Sequence, residues 1–203
     1  MAFAAPLTWN ELMGLLSVVL AFLAFGIYGW QTLAGQARPH PLSWLLFGIL
    51  SFTGFLIQKD QGAGAGSWVL LAMTAICLFL SVAGFVKGER NFTWQEWAFL
   101  LVSCIVFIFY LVEKEPTTAA VLATTVDAFA FGPTFTRGWR HPHKDSVTSF
   151  LLNGLKFIPS LLAMESVSIA TCLYPASLVL LNIAVAVMLV HRRRAVARSF
   201  DVP

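Results

Sequence analysis

Seven long apolar runs follow one another along this chain, at residues 11–34, 42–58, 67–87, 95–112, 116–136, 146–164 and 167–190, each bounded by charges, proline or glycine. A helix needs about 20 apolar residues to cross the ~30 Å hydrocarbon core of a bilayer. Seven such spans leave only short loops and no room for a sizeable soluble domain. Barrel strands would be shorter and would alternate in polarity. These runs are apolar on all sides, as lipid-embedded or bundle-buried helices are. The expectation is an all-α integral membrane protein with seven transmembrane helices. Composition agrees, with 58% hydrophobic and 11% charged residues, against about 25% charged in soluble domains.

The distribution of basic residues orients the spans. With the N-terminus outside, the cytoplasmic loops and tail receive Arg38, Lys87, Arg90, Arg137, Arg140, Lys144, Arg192, Arg193, Arg194 and Arg198, and the outside receives Lys59 and Lys114. Trp9, Trp30, Trp44, Trp68, Trp94, Trp97 and Trp139 fall near the ends of the runs, as an interfacial aromatic belt requires. No basic segment precedes the first run, so it reads as a retained span rather than a cleaved signal. A chain of this kind suits a bacterial inner membrane, with the C-terminus cytoplasmic. The basic tail reads as a topology anchor beside anionic lipid, not a nucleic-acid patch. Cys77, Cys104 and Cys172 lie inside apolar runs and read as small buried hydrophobes.

The chain repeats itself at a constant offset of 103 residues. Gly29, Gly35, Pro39, His40 and Ser43 match Gly132, Gly138, Pro142, His143 and Ser146 in a shared Gly-x5-Gly-x3-Pro-His-x2-Ser frame. Without a gap, the offset goes on to match Phe47 with Phe150, Leu70 with Leu173, Val82 with Val185, Ala83 with Ala186 and Arg90 with Arg193. Helices one to three then correspond to helices five to seven, and helix four is unpaired. Residues 1–93 form a first three-helix repeat, 94–114 a linker helix, and 115–203 a second repeat with its basic tail. Three helices return the chain on the opposite side, so an odd crossing is needed to insert the second unit in parallel. Transporters use repeats of this class with the site at the midplane between them.

This arrangement resembles the SWEET and PQ-loop superfamily of membrane transporters, which also includes PnuC-type vitamin permeases and the KDEL receptor. Gly132-Pro133-Thr134 followed by a polar loop and Asp145-Ser146 is similar to the PQ-loop frame, with Thr where Gln is usual. Gly29-Trp30-Gln31 keeps the Gln and replaces the Pro. The symmetric Trp and Asn pairs that bind sugar in SWEETs have no counterpart here: Asn182 stands opposite Phe79. The resemblance implies alternating access, with prolines of the bundle helices as hinges.

Charges inside a membrane cost roughly 2.5–3.5 kcal/mol each on insertion scales and mark functional sites. Asp127 and Lys156 are the two that fall deep in these runs. Counted from opposite ends of consecutive antiparallel helices, both lie roughly 16 Å in at about 1.5 Å per residue. They are therefore expected to approach one another or to share a water-filled cavity. They are either a substrate or proton site or a structural pair locking the two helices. Asn153, one turn before Lys156, can share its face. Asn182 and Tyr174 are further candidates for binding, or for interhelical hydrogen bonds. Gln31 and Gln58, near helix ends, read as interfacial. Pro133, Pro159 and Pro175 interrupt helices five, six and seven as hinges or static kinks.

Gly62-Ala-Gly-Ala-Gly66 reads as a flexible outer turn. His141-x-His143 sits among positive charges without further ligands, so no metal is expected. His40 and His143, at equivalent positions, are expected to share a structural role. No nucleophile–base pair or nucleotide fingerprint occurs, so neither an enzyme nor a cofactor is expected. A retinal protein is disfavoured because its lysine would lie on the last helix. Two readings remain: a small polar-solute transporter or facilitator, proton-coupled or not, and a receptor or assembly protein on the same scaffold. Homo-oligomerisation is left open.

Overall fold

The structure, a computed structural model, describes residues 6–35, 39–87, 92–143 and 145–200; for Ile27 and residues 197–200 only the backbone is described. Arg38, Arg90, Lys144 and the Arg198 side chain lie outside the described part, and so does one member of the Arg90–Arg193 match. The described residues form helices and turns without a strand: α1 (Trp9–Leu33), α2 (Pro41–Asp60), a 3-10 turn (Gly64–Ser67), α3 (Trp68–Lys87), α4 (Trp94–Glu113), α5 (Pro116–Ala130), α6 (Gly132–Arg140), α7 (Val147–Leu155), α8 (Phe157–Leu162) and α9 (Ile169–Phe200).

Local chemistry sets where these helices start. Thr8 and Glu11 form a capping box on α1, and Thr93 and Glu96 form the same box on α4. In each, the threonine hydroxyl accepts from the third-residue N–H while the glutamate accepts from the threonine N–H, satisfying two orphan donors. Pro41 and Pro116 open α2 and α5, where the missing N–H costs nothing.

Five segments are long and apolar enough to cross a membrane: Trp9–Leu33, Pro41–Asp60, Gly64–Lys87, Trp94–Glu113 and Ile169–Val196. The fifth and sixth apolar runs are each divided, at Phe131 and at Lys156. Proline explains both breaks. Pro133 and Pro159 lack the N–H that would bond the carbonyls of Phe129 and Leu155, four residues earlier. Pro175 behaves differently from expectation, because α9 runs through it unbroken.

The helices pack in a regular pattern. Both α1 and α2 lie along α3, and both α5 and α7 lie along α9, while α1 meets α2 through Phe25, Tyr28 and Trp44. Helix α4 bridges α2 and α5. The two groups meet where α1 runs along α7 and α8, and where α2 crosses α5 and α9. Large apolar side chains on the outer faces of α1 and α4, such as Phe22, Leu23, Leu101 and Ile105, are exposed, as a lipid-facing surface requires. Trp9, Trp30, Trp94, Trp97 and Trp139 are exposed near helix ends. Trp44 departs from the expected belt: it turns inward and packs on Phe25, Tyr28 and Phe47.

The glycine-rich segment is no loose turn. Ala63 and Ala65 are buried, and a Cβ on Gly66 would come within 2.6 Å of Met164 Cγ. Ser160 Oγ donates to the Gly66 carbonyl at 2.7 Å, and the Glu165 N–H donates to the Ala63 carbonyl at 3.2 Å. Small residues are needed here because two backbones approach each other.

Candidate functional site

One cavity of about 280 Å³ is lined by all five side chains singled out in the sequence: Asp127, Asn153, Lys156, Tyr174 and Asn182. They arrive from separate elements. Asp127 lies on α5, Asn153 on α7, Lys156 at the α7–α8 break, and Tyr174 and Asn182 on α9. Gly154 lets α7 come close to α9, since a Cβ there would stand 3.2 Å from Asn182 Cβ.

Asp127 and Lys156 are both buried, at 0% and 2% exposure, but they do not form an ion pair. Within 4.0 Å, the ion pairs among the described residues are His40–Glu96 and Arg137–Asp145. Lys156 Nζ donates to Asn153 Oδ1 at 2.9 Å and to Met73 Sδ at 3.0 Å. It also sits over the rings of Phe25 and Phe157, 4.4 and 5.0 Å from their centroids, where the ring quadrupole attracts a cation. Asp127 Oδ1 accepts from Tyr174 Oη at a long 3.5 Å. Asp127 Oδ2 is buried without a hydrogen-bond partner among the described residues. Such a group is costly unless something in the cavity answers it.

Asn182 donates along its own helix to the Leu178 carbonyl at 2.8 Å, so this bond is intrahelical rather than interhelical. Gln31 is exposed, but Gln58 is buried, contrary to its interfacial reading. Its Nε2 donates to the Thr171 carbonyl at 2.7 Å. His40 and His143 do not share a role: His40 stands at the N-cap position of α2 and pairs with Glu96 at 3.2 Å, whereas His143 is exposed in a turn. The cause is one residue further on. Pro41 starts a helix there, and the equivalent position is Lys144, outside the described residues.

Much of the rest of the wall is aromatic and was not singled out from sequence as a site: Phe25, Trp44, Phe47, Phe131, Phe150 and Phe157, with Ser51, Met73, Cys77, Thr134 and Leu178 between them. One signal was present, since Phe47 and Phe150 are matched at the 103-residue offset and both face the cavity. A second cavity, about 600 Å³, shares Trp44, Phe47 and Thr134 with the first and is bordered by Tyr28, His40, Glu96 and Arg137. It lies between the site and the arginine-rich end of the bundle. The Gln58–Thr171 bond and the Ala63–Gly66 seam lie toward the other end. No protein-family model matches this chain, and neither a curated protein nor a solved structure matches it. Function therefore has to be argued from the cavity itself.

Proposed function

We propose that this chain is a small polar-solute transporter or facilitator of SWEET-like architecture. Residues 1–93 and 115–203 would form two parallel three-helix bundles, with 94–114 as the linker crossing. The divided pairs α5–α6 and α7–α8 would each serve as one span, giving seven. The N-terminus would lie outside and the C-terminus in the cytoplasm of a bacterial inner membrane. The packing favours this reading, because exchanging α1, α2 and α3 for α5–α6, α7–α8 and α9 leaves the contacts among these six spans the same, while α4 stands outside the exchange. The α1–α7 contact then becomes the α5–α2 contact, as a two-fold axis along the membrane normal requires.

The observation that carries the proposal is an acid and a base buried in one cavity without pairing. A pair that only locked two helices would meet. Separated, each is left with incomplete partners, which costs stability and makes sense where a solute or proton completes them. Alternating access would rock the bundles about the breaks at Phe131 and Lys156, set by Pro133 and Pro159, with Pro175 as a third hinge.

The test is uptake of small polar solutes by proteoliposomes carrying the wild type, Asp127→Asn or Lys156→Met. Flux through the wild type that both variants abolish is expected. Absence of flux for every solute, or variants as active as the wild type, would overturn the proposal.

A further inference from the structure

The charges in the cavity also constrain what it takes. Asp127 Oδ2 is an unanswered acceptor. Lys156 Nζ has three donors, of which Asn153 Oδ1 and Met73 Sδ take two. The remaining surface is mostly aromatic. The volume, about 280 Å³, is near the lower end of the roughly 300–1,000 Å³ usual for ligand pockets.

Each simple solute class leaves one of these features against it. A solute carrying only a positive charge satisfies Asp127 but faces Lys156 in the same low-dielectric space. A solute carrying only a negative charge has the converse problem, and like charges close together in such surroundings repel strongly. A neutral polyol could bond to Ser51, Thr134 and Asn182, but it leaves both buried charges without a counter-charge. A zwitterion meets both charges, adds no net charge, and can lay an apolar body on the rings.

We propose that the cavity is a site for a small zwitterion with an apolar body. Its ammonium lies against Asp127 Oδ2, its carboxylate takes the third Lys156 donor, and its body rests on Phe25, Trp44, Phe47 and Phe150. The inference rests on the transport reading only in requiring that the cavity receive a solute. Neither charged group suffices alone: removing one leaves the solute charge that it answered buried without a counter-charge.

The experiment uses the purified full-length chain and four probes: leucine, 3-methylbutylamine (leucine without its carboxylate), 4-methylpentanoate (leucine without its amine) and glucose. Binding of radiolabelled leucine and competition by the others are measured. Leucine should bind, and each single-charge analogue at least tenfold more weakly. Asp127→Asn should weaken leucine and 3-methylbutylamine but not 4-methylpentanoate, and Lys156→Met the reverse. Size-exclusion profiles identify variants that fail to fold; the wild-type probe series decides without them. If a single-charge analogue or glucose binds as well as leucine, the zwitterion assignment falls and the transport reading stands. The same holds if none of the four binds but another solute shows flux sensitive to Asp127→Asn. If no probe binds the folded protein and no solute shows flux, both fall.

Discussion

Gln58 of α2 donates its side-chain amide to the carbonyl of Thr171 on α9 at 2.7 Å. That carbonyl is the one whose helical donor Pro175 removes, since proline has no N–H to offer four residues back. A buried carbonyl without a partner is expensive. Pro175 in α9 and the buried glutamine on α2 are therefore one device, and it ties the two groups of helices together at the end away from the arginines.

The pairing predicts a thermodynamic cycle. Gln58→Leu should destabilise the protein by about 1–3 kcal/mol, the cost of a buried polar group left alone. Pro175→Ala supplies an N–H for Thr171, so in that background Gln58→Leu should cost much less. Thermal unfolding of the four proteins in one detergent measures the coupling. Additive effects, within the ~0.5 kcal/mol expected of independent sites, would show that the two residues do not act together.

The seam at the same end predicts a size limit. A Cβ on Gly66 meets Met164 Cγ at 2.6 Å and the Ser160 carbonyl at 3.0 Å, whereas one on Gly26 meets nothing within 4 Å. Gly66→Ala should cost about 1–3 kcal/mol, as overpacking does. Gly26→Ala should cost nothing, because alanine is the better helix former. Equal melting temperatures for Gly66→Ala and the wild type would mean that the seam yields freely.

Among the described residues, Tyr174 is the hydroxyl that reaches Asp127, and it does so across 3.5 Å. Tyr174→Phe keeps the ring and removes that donor. A bond this long contributes at the low end of the ~0.5–1.5 kcal/mol range, so the melting temperature should fall only slightly. Solute affinity should change more, because the carboxylate then has both oxygens unanswered. Binding titrations on wild type and Tyr174→Phe check this; a large loss of stability with unchanged affinity would assign Tyr174 to structure alone.

Much of this arrangement could be read from sequence, and the reason is that the readable parts are local. Apolar runs at 42–58 and 67–87 become α2 and α3 with nearly the same bounds, because length, hydropathy and flanking proline or glycine act over neighbouring residues. Asp127 and Lys156 were brought to one cavity by counting helical rise from each end. What escaped depends on partners far along the chain. Gln58 looks interfacial until Pro175 leaves Thr171 in need of a donor. Gly66 looks flexible until Met164 packs on it. Trp44 sits near a helix end like the belt tryptophans, and its packing on Phe25 and Tyr28 of α1 turns it inward. That Asp127 and Lys156 share a cavity without touching is a matter of side-chain direction, which spacing does not determine.

The loop between α6 and α7 is held by two guanidinium groups, and they make a prediction of their own. Arg193 Nη2 donates to the Asp145 carbonyl at 2.6 Å and its Nε to the Pro142 carbonyl at 2.9 Å. The Asp145 carboxylate meanwhile accepts two bonds from Arg137, at 3.0 and 3.2 Å. Arg193 spans two carbonyls with one rigid fork, which the single point charge of a lysine cannot reproduce. Arg193→Lys should therefore behave like Arg193→Ala rather than like the wild type. The group is partly exposed, so the loss should be about 1 kcal/mol, less than a fully buried charged bond. A loss of that size raises hydrogen exchange across the loop roughly fivefold while α9 stays protected. If Arg193→Lys protects the loop as well as arginine does, charge rather than fork geometry holds it.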